Sequence, residues 1–418
     1  MILKQRLLPS NLSFTTFPEK GEKGAVIAAL REAKKELEKK KRGFQFGKPT
    51  PIPYSTSLEA LNMFSPINPN NIGLHTRKYK KKLGLFQRYE REVISMIASL
   101  NGASLKEIDG YITSGGTEGN IVSLWIARNH LRKGSSSKEI AVLGTALTHY
   151  SIGKAVDLLD IKNFFKVPLN RDYQMDAEGL KEKIQVLFKR GFNNFTIVAT
   201  TGSTQAGSVD SIESLDKVIQ ESEKKLGIRC FLLVDAAFGG LVLPFISEEK
   251  FGFSYSRVQS LVIDPHKTGL VPYPAGIFLC RKGLLEIIER EVKYLSFKDA
   301  TLIGSRPGVA AAVCWAVFSS LGKEGFRKII EDCSEVKKYF LEKISALCCP
   351  QDILGDPRMN VLAVSFPRRF SKKLEKKYAL SPFHLPQKGK RIFYTFYFMP
   401  HIEKLQINKF LEDLKNDR

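Results

Sequence analysis

Nowhere in these 418 residues does an apolar run reach the roughly 20 residues that a helix needs to cross a bilayer. The opening Met1-Ile2-Leu3-Lys4-Gln5-Arg6 also lacks the apolar core and small-residue cleavage site of a secretory signal. Both absences lead to the expectation of a cytoplasmic protein with no membrane partner. The cysteines, Cys230, Cys280, Cys314, Cys333, Cys348 and Cys349, form no C-x-x-C pair and show no metal-ligand spacing with histidine. No metal site or disulfide framework is expected, and they read as small core residues in a reducing compartment. Acidic residues are scarce: 43 Asp and Glu stand against 65 Lys and Arg, a formal charge of +22. Such an excess suits phosphate backbones. The lysines are spread along the whole chain, however, and no zinc-finger, RNP or helix-turn-helix pattern accompanies them. Nucleic acid is therefore not the expected partner, and the charge reads as a general preference for anionic ligands.

What is present has the size of one large domain with a smaller companion. Residues 22–42 read as a charged helix ended by Gly43. From 43 to 73, Pro49, Pro51, Pro53, Pro66 and Pro69 spoil long regular elements and predict an extended arm of the kind that wraps a second subunit. Leu83 to Asn101 reads as a helix. Short apolar runs then alternate with helical stretches to about residue 300, which predicts an α/β domain with a mostly parallel sheet covered on both faces. Beyond Gly304, helices at 308–321 and 324–346, parted at Gly322, precede strands at 361–366 and 392–398 and a helix at 402–415. That is the texture of a small α+β domain. The expected division is 1–74 for the helix and arm, 75–303 for the large domain and 304–418 for the small one.

Five features fall at strand ends or turns, where α/β folds place ligands. Thr113-Ser114-Gly115-Gly116-Thr117-Glu118-Gly119-Asn120 joins a strand to a helix, with glycines that let the backbone approach a ligand and helix N–H groups that favour phosphate. It lacks the Gly-Lys-Ser/Thr ending of a Walker loop. His149, after the strand 140–143, offers an imidazole for a planar ring or for proton transfer. The turn 200–207, with Thr201 and Ser203, offers hydroxyls. Asp235 ends an apolar strand, where a carboxylate is costly to bury unless a cation or N–H faces it, and the small Ala236-Ala237 pair leaves room for something flat. The run Ser260–Ile263 stops at Asp264-Pro265 and is followed by His266-Lys267; partial desolvation there disfavours the ammonium and makes Lys267 a plausible nucleophile.

Phosphate cradle, ring-stacking imidazole, buried carboxylate and strand-end lysine, in this order, are the parts needed to hold pyridoxal 5'-phosphate. Through Ser114–Glu118, Val234–Gly240 with Pro244-Phe245, Ile263–Lys267, Gly304–Gly308 and Met399-Pro400-His401, the chain resembles the group II pyridoxal-phosphate-dependent amino-acid decarboxylases of the fold-type I aminotransferase class. Within that group it is most similar to the archaeal-type L-tyrosine/L-aspartate decarboxylases, from about residue 70 to the end. The words around Gly116–Asn120 and His149-Tyr150-Ser151 are also similar to histidine and serine decarboxylases. The resemblance implies that Lys267 anchors the cofactor covalently, Asp235 faces the pyridine nitrogen and His149 stacks on the ring. It further implies that Gly116, Thr117 and His266 contact the phosphate, with Thr201, Ser203 and Ala237 nearby and Ser305-Arg306 reaching across from the other subunit of a homodimer.

Two departures stand out. In relatives a longer loop carries a tyrosine that protonates the α-carbon; here the interval 293–300 is short, and Tyr294 is its one tyrosine. An arginine suited to a substrate carboxylate usually precedes Met-Pro-His, whereas this chain has Thr395 there and Arg391 as the nearest substitute. Three alternatives remain: a histidine, serine or glutamate decarboxylase, a carbon–carbon lyase similar to the sphingosine-phosphate lyases, and a non-catalytic scaffold that binds a partner or nucleic acid through its basic surface.

Overall fold

A computed structural model of the chain describes residues 23–41, 45–76, 84–133, 135, 139–295, 297–345, 347–348, 352–385, 389 and 391–417. The helix end at Gly43, the helix start at Leu83 and Cys349 lie outside these. The large sheet has seven strands: β1 (Ile108–Thr113), β2 (Ala141–Gly144), β3 (Asn163–Lys166), β4 (Asn194–Thr200), β5 (Arg229–Asp235), β6 (Val258–Ile263) and β7 (Gly276–Arg281). Their order is β1-β7-β6-β5-β4-β2-β3, and β7 alone is reversed, pairing antiparallel with both β1 and β6. The expected mostly parallel sheet is thus present.

Every residue of β1, β2 and β4 is buried, because helices cover both faces. Alternate residues serve opposite faces. Leu232, Val234, Leu261 and Ile263 join one core with Val93, Ile94 and Ile97 of the helix Leu85–Leu100. Phe231, Leu233 and Val262 join the other with Val122 and Ile126 of the helix Gly116–Arg132. Full burial of each such side chain stabilises by about 1.5–3 kcal/mol, so the strands form a firm floor whose carboxyl ends position the loops above.

A short ribbon, β8 (Arg290–Val292) and β9 (Phe297–Asp299), follows, and then a four-stranded antiparallel sheet of β10 (Ile353–Leu354), β11 (Val361–Ser365), β12 (Pro382–Phe383) and β13 (Phe393–Tyr397), ordered β10-β11-β13-β12. The helical run Gly308–Ile344 leads into this sheet and breaks where expected, at Gly322, whose φ of 58° and ψ of −171° are non-helical. The runs too short to carry a periodicity, β8, β9, β10 and β12, are not legible in the sequence.

The Pro-rich arm differs from its expectation. It contains the helix Ser55–Phe64, which fits between Pro53 and Pro66 so that no proline interrupts its hydrogen bonds. Arg306, expected to reach a partner subunit, instead ties the arm to β1 of its own chain. Its guanidinium is buried against Glu90, donates to the Ile112 carbonyl at 3.0 Å and to the Gly73 carbonyl, and lies 5.0 Å from the Tyr111 ring centroid. The main chain repeats the clamp: Asn71 N–H donates to the Arg306 carbonyl and Gly308 N–H to the Pro69 carbonyl, each at 2.8 Å.

Candidate active site

A cavity of about 300 Å³ opens at the carboxyl ends of β1, β4, β5 and β6. The Asp264-Pro265 break ends β6, and one short helical turn, Pro265–Thr268, carries Lys267 into the cavity. Lys267 Nζ lies 2.9 Å from Asp264 Oδ2, on a side chain only 17% exposed. Burial acts to lower its pKa, but the Asp264 carboxylate at hydrogen-bond distance, with Asp235 beyond it, holds the group above the ordinary lysine value. The expectation of a disfavoured ammonium is therefore corrected: the adjacent carboxylate outweighs desolvation.

The glycine turn packs directly on this pair. A Cβ at Gly116 would stand 2.9 Å from Asp264 Oδ2, and one at Gly276 would stand 2.5 Å from Gly115 Cα, so both positions require the missing side chain. No side chain caps the helix Gly116–Arg132, which leaves its first N–H groups free for an anion beside Thr117. Glu118 instead accepts from Ser114 N–H at 2.7 Å.

Asp235 is buried at the end of β5, where Oδ1 accepts from Ala237 N–H at 3.2 Å and Oδ2 from the Asn120 side-chain amide at 2.9 Å. The same amide donates to Ser151 Oγ at 2.9 Å, and Ser151 Oγ lies 2.8 Å from His149 Nδ1. His149 also caps its helix, Nδ1 accepting from Ser151 N–H at 3.3 Å. Since Nδ1 is an acceptor, this network assigns a neutral ring with its proton on Nε2. Burial lowers the His149 pKa, more than the charge of Asp235 raises it. His266 is likewise pushed down by burial; its Nδ1 accepts from Ala275 N–H at 3.4 Å, and its Nε2 is 3.6 Å from Asp264. Tyr273 lies against it, with ring centroids 4.0 Å apart.

Gly116, Thr117, His149, Asp235, Ala237, His266 and Lys267 all line this one cavity. Thr201 and Ser203 do not. Past the end of β4 the chain still alternates, so Thr200, Gly202 and Thr204 face the cavity. Ser203 Oγ is bonded to Ser208 Oγ at 2.8 Å. Thr201 borders a second, larger cleft of about 650 Å³, which contains none of the convergent groups. Tyr294 is 86% exposed and outside the cavity. Ser305 is also outside it, accepting from the Asn70 amide at 3.1 Å. Thr395 spends its hydroxyl on the Gln205 carbonyl at 2.6 Å, and Arg391 pairs with Asp352 on the surface. Asp264, Asn120, Thr200 and Tyr273 also line the cavity, and the sequence does not single them out as site residues. Asp264 was legible only as a turn former, and Asn120 and Tyr273 carry no local pattern.

The model of the pyridoxal-dependent decarboxylase conserved domain matches residues 79–366. A protein of Methanococcus aeolicus named "Probable L-tyrosine/L-aspartate decarboxylase" is 32% identical over 93% of this chain and 97% of its own. A "Tryptophan decarboxylase" of Clostridium sporogenes is 33% identical over 83% of each. The crystal structure of L-methionine decarboxylase from Streptomyces sp. 590 shares the fold, with a TM-score of 0.85 over 96% of both chains at 19% identity.

Proposed function

Because this chain belongs to the pyridoxal-dependent decarboxylase family, we propose that it removes the α-carboxylate of an L-amino acid, with an aromatic substrate such as tyrosine preferred over aspartate. The observation that carries this reading is the convergence of Lys267, Asp235 and His149 on one cavity.

The residues fit pyridoxal phosphate. The uncapped helix start at Gly116-Thr117 suits a phosphate dianion, with His266 beside it and the unpartnered Thr200 hydroxyl on the same wall. Asp235 still has acceptor capacity for a pyridinium N–H, and His149 supplies a flat neutral face. Lys267 would be the covalent anchor. When bound, the cofactor supplies an electron-withdrawing ring that takes up the electrons of the broken carbon–carbon bond. The chain's own task is to keep Lys267 charged until it is needed, to hold Asp235 in place through Asn120 and the Ala237 N–H, and to shape the substrate pocket.

The preference for an aromatic substrate rests on charge. Among the described residues lining the cavity, Lys267 is the single lysine or arginine, and Asp264 already pairs it. A second substrate carboxylate would be desolvated without a cation. Tyr150, Phe238 and Tyr273 instead offer aromatic surface. The reading includes a cytoplasmic homodimer and the limits 1–74, 75–303 and 304–418. In support, Leu58, Met63 and Ile67 leave apolar surface exposed along the arm, and Leu85 does so at the start of the helix Leu85–Leu100. Among the described residues no helix is long and apolar enough to cross a membrane. Carbon dioxide release from tyrosine, phenylalanine and tryptophan, compared with aspartate and glutamate, tests the substrate class.

A further inference from the structure

The turn after β4 has one side on the cavity and the other on the small sheet. Thr200, Gly202 and Thr204 border the cavity. The base of the turn closes on itself: the N–H groups of Gly202 and Ser203 both donate to the Ser208 carbonyl at 2.9 Å, and Gly207 N–H donates to the Ser203 carbonyl at 2.8 Å. Its tip is held from outside. Tyr397 and Thr395, alternate residues of β13 and so on one face of that strand, donate their hydroxyls at 2.6 Å to two successive carbonyls, Tyr397 Oη to that of Thr204 and Thr395 Oγ1 to that of Gln205. Holding both carbonyls fixes the planar peptide groups on either side of Gln205, and with them the direction in which Thr204 leaves the main chain. The turn has no room to retreat from the cavity, since even a Cβ at Gly207 would clash with the Val361 carbonyl oxygen of β11.

Tyr397 also reaches a second wall. Its ring centroid is 5.6 Å from that of Phe238, which lines the cavity, and the Phe238 carbonyl accepts from the hydroxyl of Thr268, next in sequence to Lys267, at 3.1 Å. One buried side chain of the small sheet thus touches the turns after both β4 and β5. Burial raises the Tyr397 phenol above the ordinary tyrosine value, so it remains a donor throughout the neutral range. We propose that Tyr397 is a positioning residue whose hydroxyl, through the Thr204 carbonyl, sets the Thr204 side chain at a fixed place in the wall that receives the substrate, an inference that rests on the decarboxylase reading above. Phenylalanine would fill the same space beside Phe238. It could not hold the carbonyl.

The test is a double-mutant cycle of Tyr397→Phe with Thr204→Ala on full-length protein. Carbon dioxide release with pyridoxal phosphate is measured from tyrosine, or from whichever standard amino acid wild type turns over fastest, and hydrogen exchange of the amides in 200–207 is followed by mass spectrometry. The proposal expects kcat of Tyr397→Phe to fall by about 10- to 100-fold, the scale of a small misplacement at a reacting site, with cofactor affinity unchanged. The turn amides exchange about 2- to 10-fold faster, the factor that the net contribution of one hydrogen bond gives. Thr204→Ala lowers kcat as well, and the double variant is no slower than the slower single one, because both changes act through one side chain. A Tyr397 that is only structural would lower the unfolding midpoint and leave kcat at the wild-type value. That result overturns the proposal, as do unchanged exchange, factors that multiply in the double variant, and a fall in cofactor affinity that accounts for the lost rate. If Tyr397→Phe does not fold, Thr395→Val, which removes the neighbouring bond to Gln205, takes its place in the cycle and is read by the same outcomes. A wild type that releases no carbon dioxide from any amino acid contradicts the decarboxylase reading itself, and amide exchange in the turn still reads the bond from Tyr397 to Thr204.

Discussion

Lys267 Nζ and Asp264 Oδ2 form a 2.9 Å ion pair in the wall of the cavity, three residues apart across one helical turn. The pair fixes where the amine points and keeps it charged. Asp264 therefore holds Lys267 in its ammonium form, and in the proposed reading that pair has to open before the amine attacks.

The first prediction concerns Asp264→Asn. In the folded protein Lys267 sits above its ordinary value, so the pair stabilises the fold at pH below about 10.4 and that contribution disappears as pH rises through the folded value. Without Asp264, burial is left to dominate and the Lys267 pKa falls. The pH profile for covalent attachment of pyridoxal phosphate, followed by absorbance, should move to lower pH. An unchanged profile would contradict the assignment.

Arg306 carries the second. Burial works to raise the Glu90 pKa, but the Arg306 guanidinium and His75 hold it down to about 2 from the ordinary 4.5. A depressed carboxyl stabilises above its unfolded value, so this contribution is lost as pH falls from about 4.5 through about 2. Arg306→Met leaves Glu90 buried without its guanidinium, with only His75 and the Ile112 N–H beside it, and urea unfolding at neutral pH should show a loss of about 3–5 kcal/mol. Because Glu90 then loses its guanidinium partner, the wild-type fall in stability between those pH values should shrink.

Asn120→Ala tests the chain from Asp235 to His149. It removes a hydrogen bond to a buried carboxylate, an interaction of about 1.5–3 kcal/mol. Cofactor affinity should drop by roughly 10- to 100-fold in a fluorescence titration, alongside a lower unfolding midpoint. A midpoint that falls with affinity unchanged would make Asn120 a core residue only.

The turn after β4 gives a paired prediction. Thr200→Val removes a hydroxyl that faces the cavity and should weaken cofactor binding. Ser203→Ala removes a bond inside the turn and should cost about 0.5–1.5 kcal/mol of stability without altering cofactor affinity. The opposite pattern, read by calorimetry and cofactor titration, would restore Ser203 as the ligand.

The contrast between these residues shows what the sequence makes legible. Lys267, Asp235 and His149 each end a strong apolar run or begin a helix, so periodicity locates them. Thr201 and Ser203 offer hydroxyls, but past the last paired residue the choice between neighbours depends on which way the strand alternates, and that is set by packing. The motif around Arg306 points outward in the sequence because it does not reveal Glu90, 216 positions away and buried. Charge balance was the other blind spot. Burial of Lys267 was foreseeable from the strand before it, whereas the answering carboxylate of Asp264 looked like part of a turn.

The most direct measurement is carbon dioxide release by the purified protein, with pyridoxal phosphate, from each of the standard amino acids, run beside Lys267→Ala. Release from tyrosine or another aromatic amino acid, exceeding that from aspartate and lost in Lys267→Ala, is the result predicted. Release that persists in Lys267→Ala, or none from any amino acid by wild type carrying the cofactor, would contradict the account.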